Sequence, residues 1–216
     1  RLIRNPTVLG GNLVGLILGA AIYALFYFLS LFMGGTLGYG PVAVGLAFLP
    51  MTAAIAVAST AAGKLLARTG ARSLLVASAL LVTAALASLS RIAPDSTYLS
   101  TLLPAFVLAG CGLGLAFVAL TTAAVGSATP GDSGVAAALF NAGQQVGGAI
   151  GLAVLTAVST ARTASLTPED AGPSRSAITQ GWSLGFLVSA GIMSAGLLIT
   201  LVMIKDRSPN PVTGQR

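Results

Sequence analysis

Apolar residues dominate this chain in long runs that polar residues only punctuate. Six of these runs reach the length of about 20 residues that a helix needs to cross a hydrocarbon core. They cover 8–32, 41–62, 73–90, 99–125, 135–160 and 181–204, and none contains Asp, Glu, Lys, Arg or His. A spanning helix satisfies every backbone N–H and C=O within itself, which lipid cannot do for it. The pattern therefore predicts an all-α membrane protein, with six transmembrane helices forming one bundle. The connections are short except for the polar stretch 161–180.

The runs differ in what they carry between their aliphatic residues. The third and sixth hold small hydroxyl residues among the aliphatics and suit lipid contact on most sides. The first carries Asn12, Tyr23, Tyr27 and Ser30, the fourth "AGCGLGLAF" (109–117), and the fifth "FNAGQQVGGAIG" (140–151). An outer helix at every third place predicts two three-helix repeats, a common way of building transporter halves. Pro50 and Pro104 predict kinks, because a proline inside a helix removes a hydrogen bond.

Only 7% of the residues are charged and 55% are hydrophobic, against roughly 25% charged in a soluble domain. No soluble core could hide so much apolar surface, so membrane lipid is the first partner. The net charge of +6 is spread over segment ends, which reads as a topology signal and not as a nucleic-acid patch. Arg1, Arg4, Lys64, Arg68, Arg72, Lys205, Arg207 and Arg216 fall on one side, against Arg91, Arg162 and Arg175 on the other. Positive residues favour the cytoplasmic side. That places residues 1–7 and the tail 205–216 in the cytoplasm and 161–180 outside, in a multi-pass protein of the cell inner (plasma) membrane. Tyr98 and Trp182 fall at the outer interface that amphipathic rings prefer. Cys111 is the sole cysteine and histidine is absent, so no metal site, cofactor or enzymatic chemistry is expected. The chain opens on Arg1 and is read as part of a longer protein.

Two faces of the fifth run invite different roles. Asn141, Gln144, Gln145 and Gly148 share one, because residues three and four apart are neighbours on a helix. Gly143, Gly147 and Gly151 share another, a double GxxxG that lets a second backbone approach. The amides either bond to neighbouring helices or line a wet substrate path. Interhelical hydrogen bonds in membranes average about 0.6 kcal/mol, and three amides on one face exceed what one neighbour commonly satisfies. Tyr23 and Tyr27 share a face with Ser30, and serve either interhelical aromatic packing or a ligand, including a cation over a ring. Gly110 and Gly114 form a further packing GxxxG. The glycines of 109–117 follow no strand, so phosphate binding is not expected.

Several stretches together resemble the major facilitator superfamily, in particular the carboxy-terminal half of the fourteen-helix bacterial drug/proton antiporters. "GYGPVAVGLAFLP" (38–50) is similar to the entry into the second helix of that half. "GKLLARTGAR" (63–72) resembles the second copy of the superfamily's cytoplasmic loop motif, through Gly63, Arg68, Gly70 and Arg72. "GVAAALFNAGQQVGGAIGLAVL" (134–155) resembles the penultimate helix, and "GLGLAFVALTTAAV" (112–125) the helix before it. There are departures. Ala67 replaces the acid expected before Arg68, Met33 stands where many relatives carry glutamine, Gln144 stands where relatives often carry arginine, and the glycine–proline antiporter signature is absent from the fifth helix.

The resemblance implies half of an exporter of small hydrophobic or cationic compounds, of the multidrug efflux type, working by alternating access. Its partners would be an amino-terminal six- or eight-helix half of the same transporter, a small-molecule substrate, and protons carried by acids of that other half. Substrate contacts would come from Asn141, Gln144, Gln145, Tyr23 and Tyr27. In that architecture helices one and four line the cavity, two and five meet the other half, and three and six face lipid. The alternatives are a non-transporting six-helix protein, a truncated remnant, or a homodimerising half-transporter.

Overall fold

A computed structural model describes residues 6–125 and 133–203. The calls on residues 1–5 and on the tail from 204 lie outside them, as do residues 126–132. The elements are α1 (Pro6–Gly35), α2 (Pro41–Ala47), α3 (Leu49–Leu89), a π-helical turn (Tyr98–Leu102), α4 (Leu103–Val125), α5 (Ser133–Ser165) and α6 (Arg175–Met203). Among the described residues, five helical stretches are long and apolar enough to cross a membrane: Leu9–Gly35, Pro41–Leu89, Tyr98–Thr122, Gly134–Ser165 and Arg175–Met203.

The second of these replaces the two separate runs 41–62 and 73–90 expected from hydropathy. It is interrupted at Gly70, whose φ of 78° and ψ of 164° are not helical. Gly110 of α4 faces Met51, where an added Cβ would lie 2.5 Å from the Met51 carbonyl oxygen. Gly112 faces Ser78 and Val82. A straight helix would carry Met51 and Ser78 about 40 Å apart at 1.5 Å per residue, yet both meet α4 within about one turn. The two parts of α3 therefore lie side by side against α4, and the chain turns back at Gly70. Only glycine adopts that backbone region readily.

The two prolines lie at element starts and not within continuous helices. Pro50 is the second residue of α3, after Phe48 closes α2 through a bond from its N–H to the Gly45 carbonyl of 3.2 Å. Pro104 is the second residue of α4, after the π-helical turn. At a helix start the missing N–H has no intrahelical partner to lose. The expected kinks are thus breaks between elements.

Helices run past the hydropathy limits at their ends. α5 continues to Ser165 and α6 begins at Arg175, so the stretch 161–180 contains only a short non-helical connection. The Ser174 hydroxyl accepts from Ala177 N–H at 3.1 Å and caps α6.

Close contacts give the directions of packing. Gly147 and Gly151 of α5 meet Leu16 and Ala20 of α1, so these helices run parallel. Gly110 meets Met51 and Gly114 meets Ile55, so α4 runs parallel to the first part of α3. α6 runs antiparallel to α1: Phe28 stacks edge-on with Phe186 and Phe32 with Trp182, while Gly196 faces Ile17. It is also antiparallel to the second part of α3, through Arg72 to Leu201 at one end and Ser183 to Ser90 at the other. Phe28, Phe32, Phe106 and Phe186 are fully buried between these helices. The α1 and Tyr98–Thr122 spans are the most enclosed, whereas the first part of α3 and Gly134–Ser165 leave most of their residues uncovered; the second part of α3 buries Leu74, Leu75, Val82 and Leu86.

Candidate functional site

Positions 23, 26, 27 and 30 follow one another at helical spacing on α1 and turn the same face outward. Tyr23 is 42% exposed and Tyr27 40%. With Ile22, Phe26, Ser30 and Leu152 of α5 they line a cavity of about 470 Å³. That lies within the roughly 300–1,000 Å³ usual for small-molecule sites. Gly148 makes room for it, since a Cβ there would lie 2.6 Å from the Tyr23 ring. Phe26 leans on Phe48 at 4.9 Å between centroids, and Phe48 on Phe106 at 5.1 Å, which ties the cavity wall to the core. The lining is uncharged. Its polar groups are two phenols and one hydroxyl, so it offers aromatic faces with hydrogen-bonding tips.

The three amides do not line this cavity, and they do not act as one face. Asn141 and Gln145 are exposed, whereas Gln144 is partly buried. The Gln144 backbone carbonyl lies against Gly19, and its side-chain Nε2 is buried without a hydrogen-bond partner. Gln144, Gly148 and Leu152 succeed one another at one-turn spacing, so Gln144 lies one turn before the seat of Tyr23. The cause of the split is the close approach of α1, which covers one edge of the amide face and leaves the other open.

The glycines divide as well. A side chain on Gly147 would collide with the Leu16 backbone, and one on Gly151 with Ala20, whereas at Gly143 the nearest atom, Asn12 Oδ1, is 3.9 Å away. Gly110 and Gly114 lie on the first part of α3, and Ser59 donates to the Gly114 carbonyl at 3.2 Å. In the loop motif, Gly63 and Arg68 are exposed, Gly70 forms the break, and Arg72 Nη2 donates to the Leu201 carbonyl at 2.8 Å. That bond sits in the last turn of α6, where a cation complements the helix dipole. Sequence reasoning missed Gly15 and Gly19, although "GxxxG" at 15–19 was a readable signal, and it read Gly148 as part of the amide face without the contact to Tyr23. It also missed Phe26 and Leu152, which hydropathy cannot tell from any lipid-facing residue. Among the described residues no three of His, Cys, Asp and Glu come together as a metal site would need.

The family profile of the Major Facilitator Superfamily matches residues 1–152, a stretch holding the tyrosines, the loop motif and the amides. The chain belongs to the Major Facilitator Superfamily. Its curated relatives in this superfamily include the puromycin resistance protein pur8 of Streptomyces alboniger, 43% identical over 137 residues. That alignment covers 62% of this chain and 27% of the relative. The cephamycin export protein CmcT of Amycolatopsis lactamdurans is 36% identical over 156 residues, covering 72% of this chain and 32% of the relative. The chain thus spans about a third or less of the length of these relatives. A solved chain from work on substrate recognition in proton dependent oligopeptide transporters superposes with a TM-score of 0.76. It is 16% identical and covers 94% of this chain and 42% of its own length, a likeness of fold. As a superfamily member with several apolar spans, the chain is a multi-pass membrane protein of a transporter family.

Proposed function

We propose that this chain is the carboxy-terminal six-pass half of an exporter, and that the cavity of Tyr23, Phe26, Tyr27, Ser30 and Leu152 holds its substrate. The observation that carries the proposal is the chemistry of that cavity, aromatic and uncharged, in a superfamily member whose relatives are named for antibiotic resistance and export. Flat amphipathic compounds suit it, through ring stacking and hydrogen bonds to the phenols. Asn141, Gln144 and Gln145 are proposed to contribute on the neighbouring face of α5.

The reversal at Gly70 supports counting Pro41–Leu89 as two passes, which makes six and puts both ends on one side. The parallel pairs, α1 with α5 and the first part of α3 with α4, exchange under a two-fold relation between two three-helix repeats. Lys64, Arg68 and Arg72 on the turn side assign that side to the cytoplasm of the plasma membrane. The uncovered faces of the first part of α3 and of Gly134–Ser165 are proposed to meet an amino-terminal bundle of six or eight helices. The spans of this chain carry no titratable acid, so proton coupling would depend on that bundle.

Dye efflux from energised cells making this chain with its amino-terminal bundle tests the reading. Tyr27→Ala is expected to slow efflux of an aromatic dye about tenfold, a loss of one good contact, at unchanged protein abundance. Unaltered efflux in both Tyr23→Ala and Tyr27→Ala would defeat the assignment of the cavity.

A further inference from the structure

A second cavity, of about 430 Å³, lies where the end of α1 meets the start of α6. Its walls include Ser30, Leu31 and Gly34 from α1 and Arg175, Ile178 and Trp182 from α6. Ser30 lines this cavity and the tyrosine cavity alike, so the two adjoin along one side of α1. The space is open because nothing fills it from the helix end. A Cβ on Gly35 would meet no atom within 4 Å, and one on Gly34 only the Tyr39 carbonyl at 4.0 Å. Trp182 is braced edge-on by Phe32, with ring centroids 6.1 Å apart. Arg175 is exposed and is the one charged residue in either lining.

We propose that this outer cavity is a second binding site for the compound held between the tyrosines, and that Arg175 makes it select neutral and anionic aromatic amphiphiles over cationic ones. The proposal rests on the reading above for the ligand's class. The selection itself follows from charge. Trp182, Ile178 and Leu31 offer an apolar and aromatic bed that any flat amphiphile can occupy. A guanidinium at its rim attracts an anionic group and repels a cationic one. With solvent screening, that repulsion amounts to about tenfold in affinity. A compound leaving the tyrosine cavity along α1 would pass Ser30 and meet this charge next, so the outer site sharpens a preference that the uncharged inner site lacks.

Trp182 is the only tryptophan in the chain, so its fluorescence reports on this cavity directly. The test uses the whole chain in phosphatidylcholine nanodiscs, titrated with three aromatic probes of similar size. These are anionic 1-anilinonaphthalene-8-sulfonate, neutral N-phenyl-1-naphthylamine and cationic ethidium. Saturable quenching of Trp182 by the first two, with ethidium about tenfold weaker, is the expected result. Arg175→Gln should narrow that gap and Arg175→Glu should reverse the order of the two charged probes. Gly35→Phe, placed in open space, should abolish saturable quenching by all three at an unchanged melting temperature. Equal affinity for the three probes, or an order that Arg175→Glu leaves intact, would overturn the proposal. So would quenching that only rises linearly with probe, or quenching by brominated acyl chains that no probe relieves, since lipid alone would then fill the groove. The measurement needs no transport. Saturable binding here, with no export by the chain joined to its amino-terminal bundle, would sink the exporter reading and leave this site standing, whereas normal export by that assembly without saturable binding would do the reverse.

Discussion

Gly147 has no room for a side chain, because the Leu16 backbone occupies the place of its Cβ. Gly147→Leu must push α1 and α5 apart, and overpacking of this kind costs about 1–3 kcal/mol. A melting curve in detergent should show the loss, while Gly143→Ala, with 3.9 Å to the nearest atom, should melt with the parent. Equal melting of Gly147→Leu and the parent would contradict the parallel register. Gln144 gives the opposite kind of test. Its Nε2 is buried without a hydrogen-bond partner, and leaving such a group unsatisfied costs about 1–3 kcal/mol. Gln144→Ala should therefore leave stability unchanged or raised, and Asn141→Ala and Gln145→Ala, on exposed positions, should be neutral. If these amides serve substrate, resistance profiling of the same three variants should show altered compound preference. Lowered melting points with unaltered profiles would mark them as interhelical bonds. At this scale the sequence made the glycine rhythm legible and the split of the amides illegible. The split depends on where Gly19 of a distant helix comes to rest.

Gly70 decides the shape of the longest element. Its φ of 78° with ψ of 164° belongs to a region that residues with a Cβ enter at a cost of about 1–3 kcal/mol. Gly70→Ala is expected to lower stability by that amount, whereas Gly63→Ala, with no atom near its Cβ, should stabilise slightly or not at all. Comparable melting of the two variants would show that the turn back does not need glycine. Arg72 secures the same turn from the side, by its bond to the Leu201 carbonyl of α6. Apolar length predicted where the helices lie, because any long uncharged run in lipid must close its own hydrogen bonds. It could not predict that helical bonding continues almost through Lys64–Thr69, since Lys64, Arg68 and Thr69 are polar yet still good or tolerable helix formers. For the same reason α5 and α6 overrun their hydropathy limits at Ser165 and Arg175.

For the whole molecule, the alternation of packing directions requires that Arg68 and Asp170 lie at opposite ends of the bundle. Arg68 precedes the turn at Gly70, and Asp170 lies between α5 and α6. In a Cys111→Ser background, cysteine at 170 should react with an impermeant maleimide from outside intact cells. Cysteine at 68 should react only after permeabilisation. The reverse pattern would invert the proposed orientation, and labelling of both from one side would refute six passes. The contrast between enclosed α1 and α4 and the open faces of the first part of α3 and of Gly134–Ser165 also belongs to this scale. It divides the runs that carry the unusual residues, since the first and fourth are enclosed and the fifth is open.

Local pattern determined which stretches are helical, that they lie in lipid, and that their interior is free of charge, since each follows from the solvation of neighbouring residues. Family membership was legible for a related reason, as the motifs at 38–50, 63–72 and 134–155 are contiguous. Tertiary structure alone decided that Gly147 meets Leu16, that Gln144 turns inward while Asn141 and Gln145 stay out, and that Tyr23 rests on Gly148 beside Leu152. It alone joined two cavities at Ser30 and set Arg175 beside Trp182 at the end of α1. Between helices of nearly uniform hydropathy, lipid supplies no apolar driving force that favours one register over another. Shape complementarity at a few glycines makes that choice, and shape is a property of two helices together.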